Sequence, residues 1–462
     1  MNVEYKLDYE KINKALGKNY QFFRRKKTYV SPLPTREPDR AKFERGFISV
    51  VGGVIRKISK LPINIEANDN FREKLPEIVG FPNEESEDLF NYFIQVQLEE
   101  LTEGDIDSLQ QLEQVPLVDD KNELKGEIDY IHFFYDTFIR DDEEYVKKII
   151  NRIDSPHIIN DILSYVAVIE EVTEKQAQQS AQLYRNHFPD LKEQFLKDLE
   201  SLSKNEAFFF ENIDTLFVHY TTVAISQTVL QTNHLADFHF NNFIPIYYIL
   251  HWEKAAKWRQ SYKEGFKLLR EQISEFYAHE HALNILGFNT FTTEDNLFYH
   301  DLKQILQKAG PKAEKEFTQS IYTFLETIYQ TRKGIEVEEY EEHKTLDDAF
   351  KDILNALKKG VSTEIKSRYP KAFEALLSKF FRKHGGSLGN LLSLTREQLL
   401  LLIAVSVGDE RMELNQLWTE LEKRGIWFDY LSKEEVVLVL DKLNYMEKKS
   451  DSGDAQYVKS IL

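Results

Sequence analysis

The stretch TREQLLLLIAVSVGDERMELNQLWTELEKRGIWFDYLSKEEVVLVLDKL, residues 395–443, decides the fold prediction. Thr395 and Gln398 have the spacing of a capping box and stand just before an apolar run, which predicts the start of a helix. Gly408 ends that helix, and the apolar residues after it repeat at helical spacing up to Gly425. The stretch therefore predicts two short helices, and a third follows.

The third helix and the residues after it indicate a domain type. Ser432 with Glu435 predicts a second capping box. Asp451-Ser452-Gly453-Asp454 lies between two strand-like segments, which predicts a β-hairpin. Three short helices followed by a hairpin is the order of a winged helix. The apolar positions of the third helix are Val436, Val439, Leu440 and Leu443.

Upstream, helical patterns dominate. Leu191, Phe195, Leu199 and Leu202 form one apolar stripe, and Ile158 to Val166 behave similarly. Glycine (18) and proline (12) are scarce, which also favours helices. We therefore predict a mainly α protein with a multi-helix body and a C-terminal winged-helix-like domain.

Four consecutive segments are predicted. Clustered prolines and the glycines at 46, 52 and 53 indicate an extended basic arm and a glycine-hinged segment over 1–65. A helical body covers 66–335. An acidic linker, whose core is Glu336 to Glu342, and a basic helical segment cover 336–390, and the winged-helix-like domain covers 391–462.

Composition excludes several classes of protein. The chain has no cysteine, which excludes disulfides, thiolate metal sites and a cysteine nucleophile. Its N-terminus is charged and no apolar run reaches the roughly 18 residues of a membrane span. We therefore expect a cytoplasmic protein that does not contact a membrane.

The net charge of −18 argues against a general nucleic-acid coat, but the charge is segregated. Three basic segments, 18–45, 252–270 and 356–384, carry +6, +4 and +6, so the remaining residues sum to −34. The segment 252–270 is expected to be one helix with its aromatic residues mostly in the core. Any DNA contact must come from such local segments.

The first basic segment holds the main candidates for nucleic-acid binding. Arginine forks beside aromatic rings suit a DNA backbone or a single strand, and a solvated loop that docks an acidic surface is the alternative. Further candidates stand at the predicted wing. The candidates are Arg24, Arg25, Lys26, Lys27 and Arg36 in the arm, with Tyr20, Phe22, Phe23 and Tyr29 nearby, and Lys448 and Lys449 in the wing, where Lys459 also stands.

The winged-helix-like domain is acidic, which favours protein docking over DNA reading. Residues 394–462 contain nine Lys/Arg and thirteen Asp/Glu. The third helix itself carries Glu434 and Glu435, which repel phosphate. We predict a docking surface that includes these two residues with Trp418 and Trp427, and a DNA reader acting through the wing is the alternative.

No catalytic residue, metal site or cofactor is predicted, and so no enzyme. In His279-Glu280-His281 the histidines are two apart on a helix and point in different directions. His234, His239 and Asp237 could form a site only in a loop, and Asp119 with Glu123-Leu124-Lys125 only mimics a nuclease motif. Arg382 to Gly389 lacks the end of a phosphate loop and is expected to be a hinge after a helix.

Two stretches resemble a known family. The first is Tyr20-Gln21-Phe22-Phe23-Arg24-Arg25-Lys26-Lys27, which leads to Pro32-Leu33-Pro34-Thr35-Arg36. The second is Arg424-Gly425-Ile426-Trp427-Phe428-Asp429, which leads to the segment 449–458. With the length and helical character of the chain, they resemble the DptG (DndG) subunit of bacterial DNA-phosphorothioation-dependent restriction systems.

This resemblance implies a non-catalytic subunit in anti-phage defence. A three-subunit complex would act on DNA that lacks backbone sulfur, with ATP-using F and H subunits as partners, and this chain would bridge or regulate them on DNA. Two alternatives stay open: a metal-dependent nuclease with a site assembled from distant carboxylates and histidines, and a free-standing DNA-binding regulator.

Overall fold

Helices make up most of the computed structural model, in agreement with the predicted mainly α fold. The structure describes residues 3–16, 29–34, 36–63, 80–92, 106–153, 181–238, 242–250, 252–448 and 456–462. The apolar pattern between Ile158 and Val166 lies outside these residues.

The described elements follow one another in this order. The helices are α1 (Tyr9–Leu16), α2 (Ile48–Ile58), α3 (Leu109–Gln114), α4 (Glu123–Phe134), α5 (Glu143–Ile150), α6 (Pro189–Leu202), α7 (Glu206–Thr232), α8 (Gln260–Lys263), α9 (Phe266–Gly287), α10 (Tyr299–Ala309), α11 (Pro311–Phe324), α12 (Thr331–Lys333), α13 (Leu346–Gly360), α14 (Thr363–Lys366), α15 (Arg368–Phe380), α16 (Arg396–Val407), α17 (Leu414–Lys423) and α18 (Tyr430–Lys442), and residues 84–92 are helical as well. The strands are β1 (Tyr247–Tyr248), β2 (Arg382–His384), β3 (Asn390–Leu392), β4 (Met412–Glu413), β5 (Trp427–Phe428), β6 (Met446–Lys448) and β7 (Gln456–Val458).

The chain divides into two units, each assembled from separated stretches. The first contains Met1–Arg40, Leu183–Pro189 and Val223–Ser393, and the second contains Ala41–Gln182, Asp190–Thr222 and Leu394–Leu462. The predicted consecutive segments 1–65, 66–335, 336–390 and 391–462 differ from this division, because long-range packing rather than chain order groups the elements. The C-terminal stretch begins close to the predicted boundary.

In the second unit, α2 packs against α3 and α4. Gly52 and Gly53 lie inside α2, so the predicted glycine hinge is wrong. A β-carbon at Gly52 would stand 2.4 Å from the carbonyl oxygen of Leu112, and one at Gly53 would stand 2.2 Å from the Ile131 side chain. The two glycines therefore allow close helix packing.

An aromatic core joins α4, α6 and the first part of α7. Phe134 stacks on Phe217 with ring centroids 4.0 Å apart, and Phe195 meets both rings edge-on at 5.2 and 5.6 Å. The predicted stripe of Leu191, Phe195, Leu199 and Leu202 is confirmed as the buried face of α6.

In the first unit, α9 packs against α13 and α15. The helix α9 ends at Gly287. The N-terminal residues are not wholly extended, because α1 is helical and buries Ile12 and Leu16. Tyr9 also donates a hydrogen bond to the carbonyl oxygen of Ser320 at 2.9 Å, which ties α1 to α11. The expectation of an extended arm therefore fails for residues 9–16.

Three further expectations in the first unit are corrected. The segment 252–270 is a 3₁₀ turn, Trp252–Lys254, followed by α8 and the start of α9 rather than one helix. Residues 382–384 form β2, and the turn that follows leads to β3, with which β2 pairs. The segment 382–389 is therefore part of a hairpin and not a hinge. The acidic stretch 336–342 is non-helical but connects elements inside the first unit, so it is not a linker between units.

Candidate docking face and nucleic-acid-binding residues

The predicted elements of the C-terminal stretch are present. Thr395 and Gln398 form the capping box of α16, and Gly408 and Gly425 end α16 and α17 with φ of +66° and +78°. β6 and β7 pair antiparallel, and β7 also pairs with β4, which gives the sheet order β4-β7-β6. Residues 449–455 between β6 and β7, including Lys449, lie outside the described residues.

The start of α18 differs from the prediction. Asp429, and not Ser432, is the N-cap residue, and its side chain accepts a hydrogen bond from the backbone N–H of Ser432 at 3.0 Å. Aspartate and serine are equally favourable N-cap residues, and in this fold the helix begins after the earlier of the two. Ser432 is instead a fully buried residue of the first turn.

The two faces of α18 have different chemistry. Of the predicted apolar face, Val436 and Leu440 are fully buried, and Val439 and Leu443 are half-buried. On the outer side, Tyr430 is 73% exposed and Leu438 is 49% exposed. Glu434 and Asp441 are also exposed, and the spacing of 430, 434, 438 and 441 places all four on one stripe. We call these four residues the α18 stripe.

The four predicted docking residues differ in exposure and in the elements that carry them. Glu434 is on the α18 stripe and hydrogen-bonds to Tyr430, which raises the pKa of Tyr430. Glu435 is half-buried, as is Trp427 in β5. Trp418 is half-buried on α17 and carries the Lys433 ammonium 5.2 Å above its ring. The prediction missed Tyr430 and Leu438, although their i, i+4, i+8 spacing with Glu434 was visible in the sequence.

A buried ion pair anchors the C-terminal stretch within the second unit. Arg424, after α17, donates from Nε to Oδ2 of Asp198 at 2.7 Å and from Nη2 to Oδ1 at 2.5 Å. Tyr220 on α7 donates to the same carboxylate at 2.5 Å, and Gln194 on α6 donates at 3.0 Å. The Arg424 and Asp198 side chains are 2% and 0% exposed, so both charges are removed from water.

The environment keeps this pair ionised. Burial opposes the charge of Arg424, but the attraction and hydrogen bonds of Asp198 outweigh it and raise the pKa of Arg424 above its ordinary value. Burial, and then the charge of Asp198, also raise the pKa of Tyr220, so its hydroxyl keeps its proton and stays a donor. His219 adds a contact from Nε2 to the Arg424 carbonyl oxygen at 2.8 Å, and burial lowers its pKa to about 4.

Most of the predicted nucleic-acid-binding residues lie outside the part of the chain that the structure describes. Arg24, Arg25, Lys26 and Lys27 lie outside the described residues, as does Lys449. Arg36 is exposed, with Nη1 3.8 Å from Asp39. Lys448 is the last residue of β6. Of the seven candidates, Arg36 and Lys448 are thus the two that lie within the described residues.

The histidine and carboxylate motifs take part in packing. His279 contacts Asn233 and Tyr299 at 3.1 and 3.2 Å, and burial lowers its pKa to about 3. His234 stands in a turn before the 3₁₀ helix that holds Asp237, and His239 lies outside the described residues. Within the parts of the chain that the structure describes, no three His, Asp or Glu side chains are grouped as a metal site.

Residues of the nuclease-like stretch also form hydrogen bonds that stabilise the structure around α4. Glu123 is buried and accepts hydrogen bonds from the backbone N–H and the ammonium of Lys42 at 2.7 and 2.9 Å. Asp120 accepts from the backbone N–H groups of Asn122 and Glu123, both at 3.0 Å, at the start of α4. Asp120 thus supports the start of α4, Glu123 connects α4 to Lys42, and Asp119 of the predicted motif is exposed.

Sequence reasoning also missed a pair of perturbed groups in the second unit. The Lys57 ammonium lies 2.7 Å from Nδ1 of His132 and 4.5 Å above the Tyr135 ring. Burial lowers the pKa of Lys57 to about 8 and that of His132 to about 4. The pair joins α2 to α4, and lysine at the end of an apolar helix was its only signal in the sequence.

Compared with models of protein families and with curated protein sequences, the chain matches none. Among the described helices, none combines the length and apolarity needed to cross a membrane.

Proposed function

We propose that this chain is a non-catalytic subunit of a bacterial DNA-phosphorothioation-dependent restriction complex, in which it bridges or regulates the ATP-using F and H partners on DNA that lacks the modification. The observation that carries the proposal is the α18 stripe, whose exposed residues are acidic or apolar. In a DNA-reading winged helix, the helix at this position would face the DNA. The resemblance at the two ends of the chain supplies the type of complex.

The C-terminal stretch is proposed to be a winged helix. The order α16, β4, α17, α18, β6, β7 and the sheet order β4-β7-β6 support this assignment. In DNA-binding members of this class the third helix enters the major groove. Glu434 and Asp441 on the exposed side of α18 would meet phosphate there, and like charges repel.

A protein partner fits the α18 stripe better than DNA does. Tyr430 and Leu438 supply the aromatic and aliphatic contact area that is typical of interface centres. Glu434 and Asp441 would pair with Lys or Arg of the partner and fix its register. We therefore propose that one of the two partners presents a basic and apolar surface to α18.

The buried pair of Arg424 and Asp198 supports a bridging role. It ties the residue that follows α17 to α6 and α7, so the C-terminal stretch that presents α18 is anchored to other helices of the same unit. The arm residues Arg24, Arg25, Lys26, Lys27 and Arg36 and the wing lysines 448 and 449 are proposed as the contacts to the DNA backbone.

Restriction in cells tests this function. Bacteria that carry the system with this chain deleted would receive wild type, the double variant Glu434→Lys/Leu438→Asp or the control Glu342→Lys, whose exposed carboxylate lies in the first unit. Transformation by DNA without phosphorothioate is measured. Wild type and control should restrict, and the double variant should not. Full restriction without the chain, or with the double variant, would contradict the proposal.

A further inference from the structure

Two basic segments that are far apart in the sequence meet in the first unit. The backbone N–H of Ile249, just after β1, donates to the carbonyl oxygen of Leu392 in β3 at 2.8 Å. The N–H of Tyr247 donates to the carbonyl oxygen of Glu264 at 2.9 Å. Since β3 pairs with β2, the short strand β1 connects the segment 252–270 to the hairpin that ends the segment 356–384.

Close backbone packing fixes this junction. A β-carbon at Gly265 would lie 2.6 Å from the carbonyl oxygen of Tyr247 and 2.4 Å from that of Ser261. Arg270 on α9 also pairs with Glu374 on α15, with Nε and Oε1 3.1 Å apart. The two segments are therefore joined at two points, through the backbone contacts of β1 and through the pair of Arg270 and Glu374.

Most side chains exposed on 252–271 and on 371–384, the last part of the second segment, are cations, and Glu364 is exposed earlier in that segment. The only exposed acids on 252–271 and 371–384 are Glu253 and Glu271, and Glu264 and Glu374 are half-buried. Glu271 lies 3.8 Å from Lys267. The exposed cations are Lys254, Lys257, Lys263, Lys267, Arg270, Lys371, Lys379, Arg382 and Lys383.

An exposed tryptophan stands among these cations. Trp258 is 71% exposed, whereas its neighbour Arg259 is 2% exposed. The Arg259 guanidinium donates to the carbonyl oxygen of Lys254 at 3.4 Å, and its backbone N–H donates to that of Ala256 at 3.0 Å. The turn is thus held from inside by Arg259, whereas the indole ring of Trp258 is exposed, as are Lys257 and Lys263 nearby in the sequence.

We propose that this surface, composed of Trp258 and the exposed cations of 252–270 and 371–384, binds single-stranded nucleic acid. Lysines and arginines neutralise the phosphates, and a base stacks on the indole. A duplex keeps its bases stacked on one another and cannot use Trp258 in this way. The proposal does not rest on the restriction function, since it concerns residues of the first unit that take no part in the α18 stripe.

Fluorescence anisotropy of labelled oligonucleotides with the full-length chain tests the proposal. The probes are oligothymidylate, an RNA of the same length and a DNA duplex, each over a salt series. The variants are Trp258→Ala, Trp258→Phe and Arg382→Ala/Lys383→Ala. The control is Lys312→Ala/Lys315→Ala, which removes the same charge from exposed positions on α11.

We expect single strands to bind with a steep salt dependence. Trp258→Ala should weaken their binding about tenfold, and Trp258→Phe should restore most of it. Arg382→Ala/Lys383→Ala should flatten the log–log salt slope by about 0.7 for each phosphate contact that is lost, and the control should not. The DNA and RNA arms decide which single strand is preferred.

The proposal would be overturned by the absence of single-strand binding at low salt, by equal losses in the control and the hairpin variant, or by unchanged binding of Trp258→Ala. A preference for the duplex that is insensitive to Trp258 would also overturn it. Assembly with the F and H partners is measured separately, so failure of either proposal leaves the other standing.

Discussion

Arg424 and Asp198 form a two-point ion pair, Nε to Oδ2 at 2.7 Å and Nη2 to Oδ1 at 2.5 Å, although 226 positions separate them in the sequence. Arg424 also donates from Nη1 to the carbonyl oxygen of Glu420 at 2.8 Å and from Nη2 to that of Val405 at 3.2 Å. One side chain therefore connects α16, α17 and α6.

Removal of one partner of this pair should destabilise the second unit strongly. Arg424→Met leaves the Asp198 carboxylate buried with only Tyr220 and Gln194 as donors, and breaking a buried pair costs about 3–5 kcal/mol. Urea unfolding followed by circular dichroism measures the loss. Because an uncompensated charge is the cause, Arg424→Met/Asp198→Asn should lose less than the sum of the single variants. Additive losses would show that the two side chains act independently.

Close packing at Gly53 gives a second prediction. Gly53→Ala gains about 1 kcal/mol of helix propensity but places a methyl group 2.2 Å from the Ile131 side chain. Overpacking of this kind costs about 1–3 kcal/mol, so the urea midpoint should fall. Gly80→Ala is the control, because no atom of the described residues lies within 4 Å of its β-carbon. A midpoint that rises in Gly53→Ala would contradict the packing of α2 on α4.

Because of its buried histidines, we expect the folded protein to lose stability on acidification at pH values above those at which carboxylates titrate. Burial lowers the pKa of His219 to about 4 and of His279 to about 3, below the unfolded value of about 6.5. Between pH 6.5 and about 4 the unfolded chain therefore binds more protons, and stability falls as pH falls. The loss is about 1.4 kcal/mol per pH unit for each histidine.

Urea midpoints at pH 7.5, 6.5, 5.5 and 4.5 measure this dependence. His219→Gln keeps a donor for the Arg424 carbonyl oxygen but cannot titrate, so its dependence should be shallower than that of wild type. An equal dependence in the two proteins would mean that His219 titrates normally in the folded state.

The arm is expected to contact duplex DNA. Replacing Arg24, Arg25, Lys26 and Lys27 by alanine should weaken duplex binding and flatten its log–log salt slope by about 0.9 for each phosphate contact that is lost. Equilibrium binding to a labelled duplex over a salt series measures both quantities. If wild type and variant bind equally, the arm contacts protein instead.

Local signals in the sequence predicted the helices well. The Thr395 and Gln398 capping box and the apolar period of α6 depend on neighbours within a few residues, and both are confirmed. The start of α18 was misplaced because Asp429 and Ser432 are both good caps, and only the fold selects one.

The candidate surfaces depend on contacts that no local pattern contains. The aromatic residues of 252–270 were expected mostly in the core, but the segment is not one helix, and Trp258 is exposed while its neighbour Arg259 is buried. The β2–β3 hairpin was missed because its glycines also suit the end of a helix. Pairing of Arg424 with Asp198 requires that two segments far apart in the sequence come together. The periodicity of apolar residues contains no information about such a contact.

The central claim is that the α18 stripe docks a partner subunit. Tagged wild type, Glu434→Lys/Leu438→Asp and the control Glu342→Lys would each be co-expressed with the F and H subunits and purified through the tag, and the retained partners would be quantified. We predict that wild type and control retain both partners and that the double variant, correctly folded by circular dichroism, loses at least one. Retention of both partners by the double variant at wild-type stoichiometry would contradict the claim.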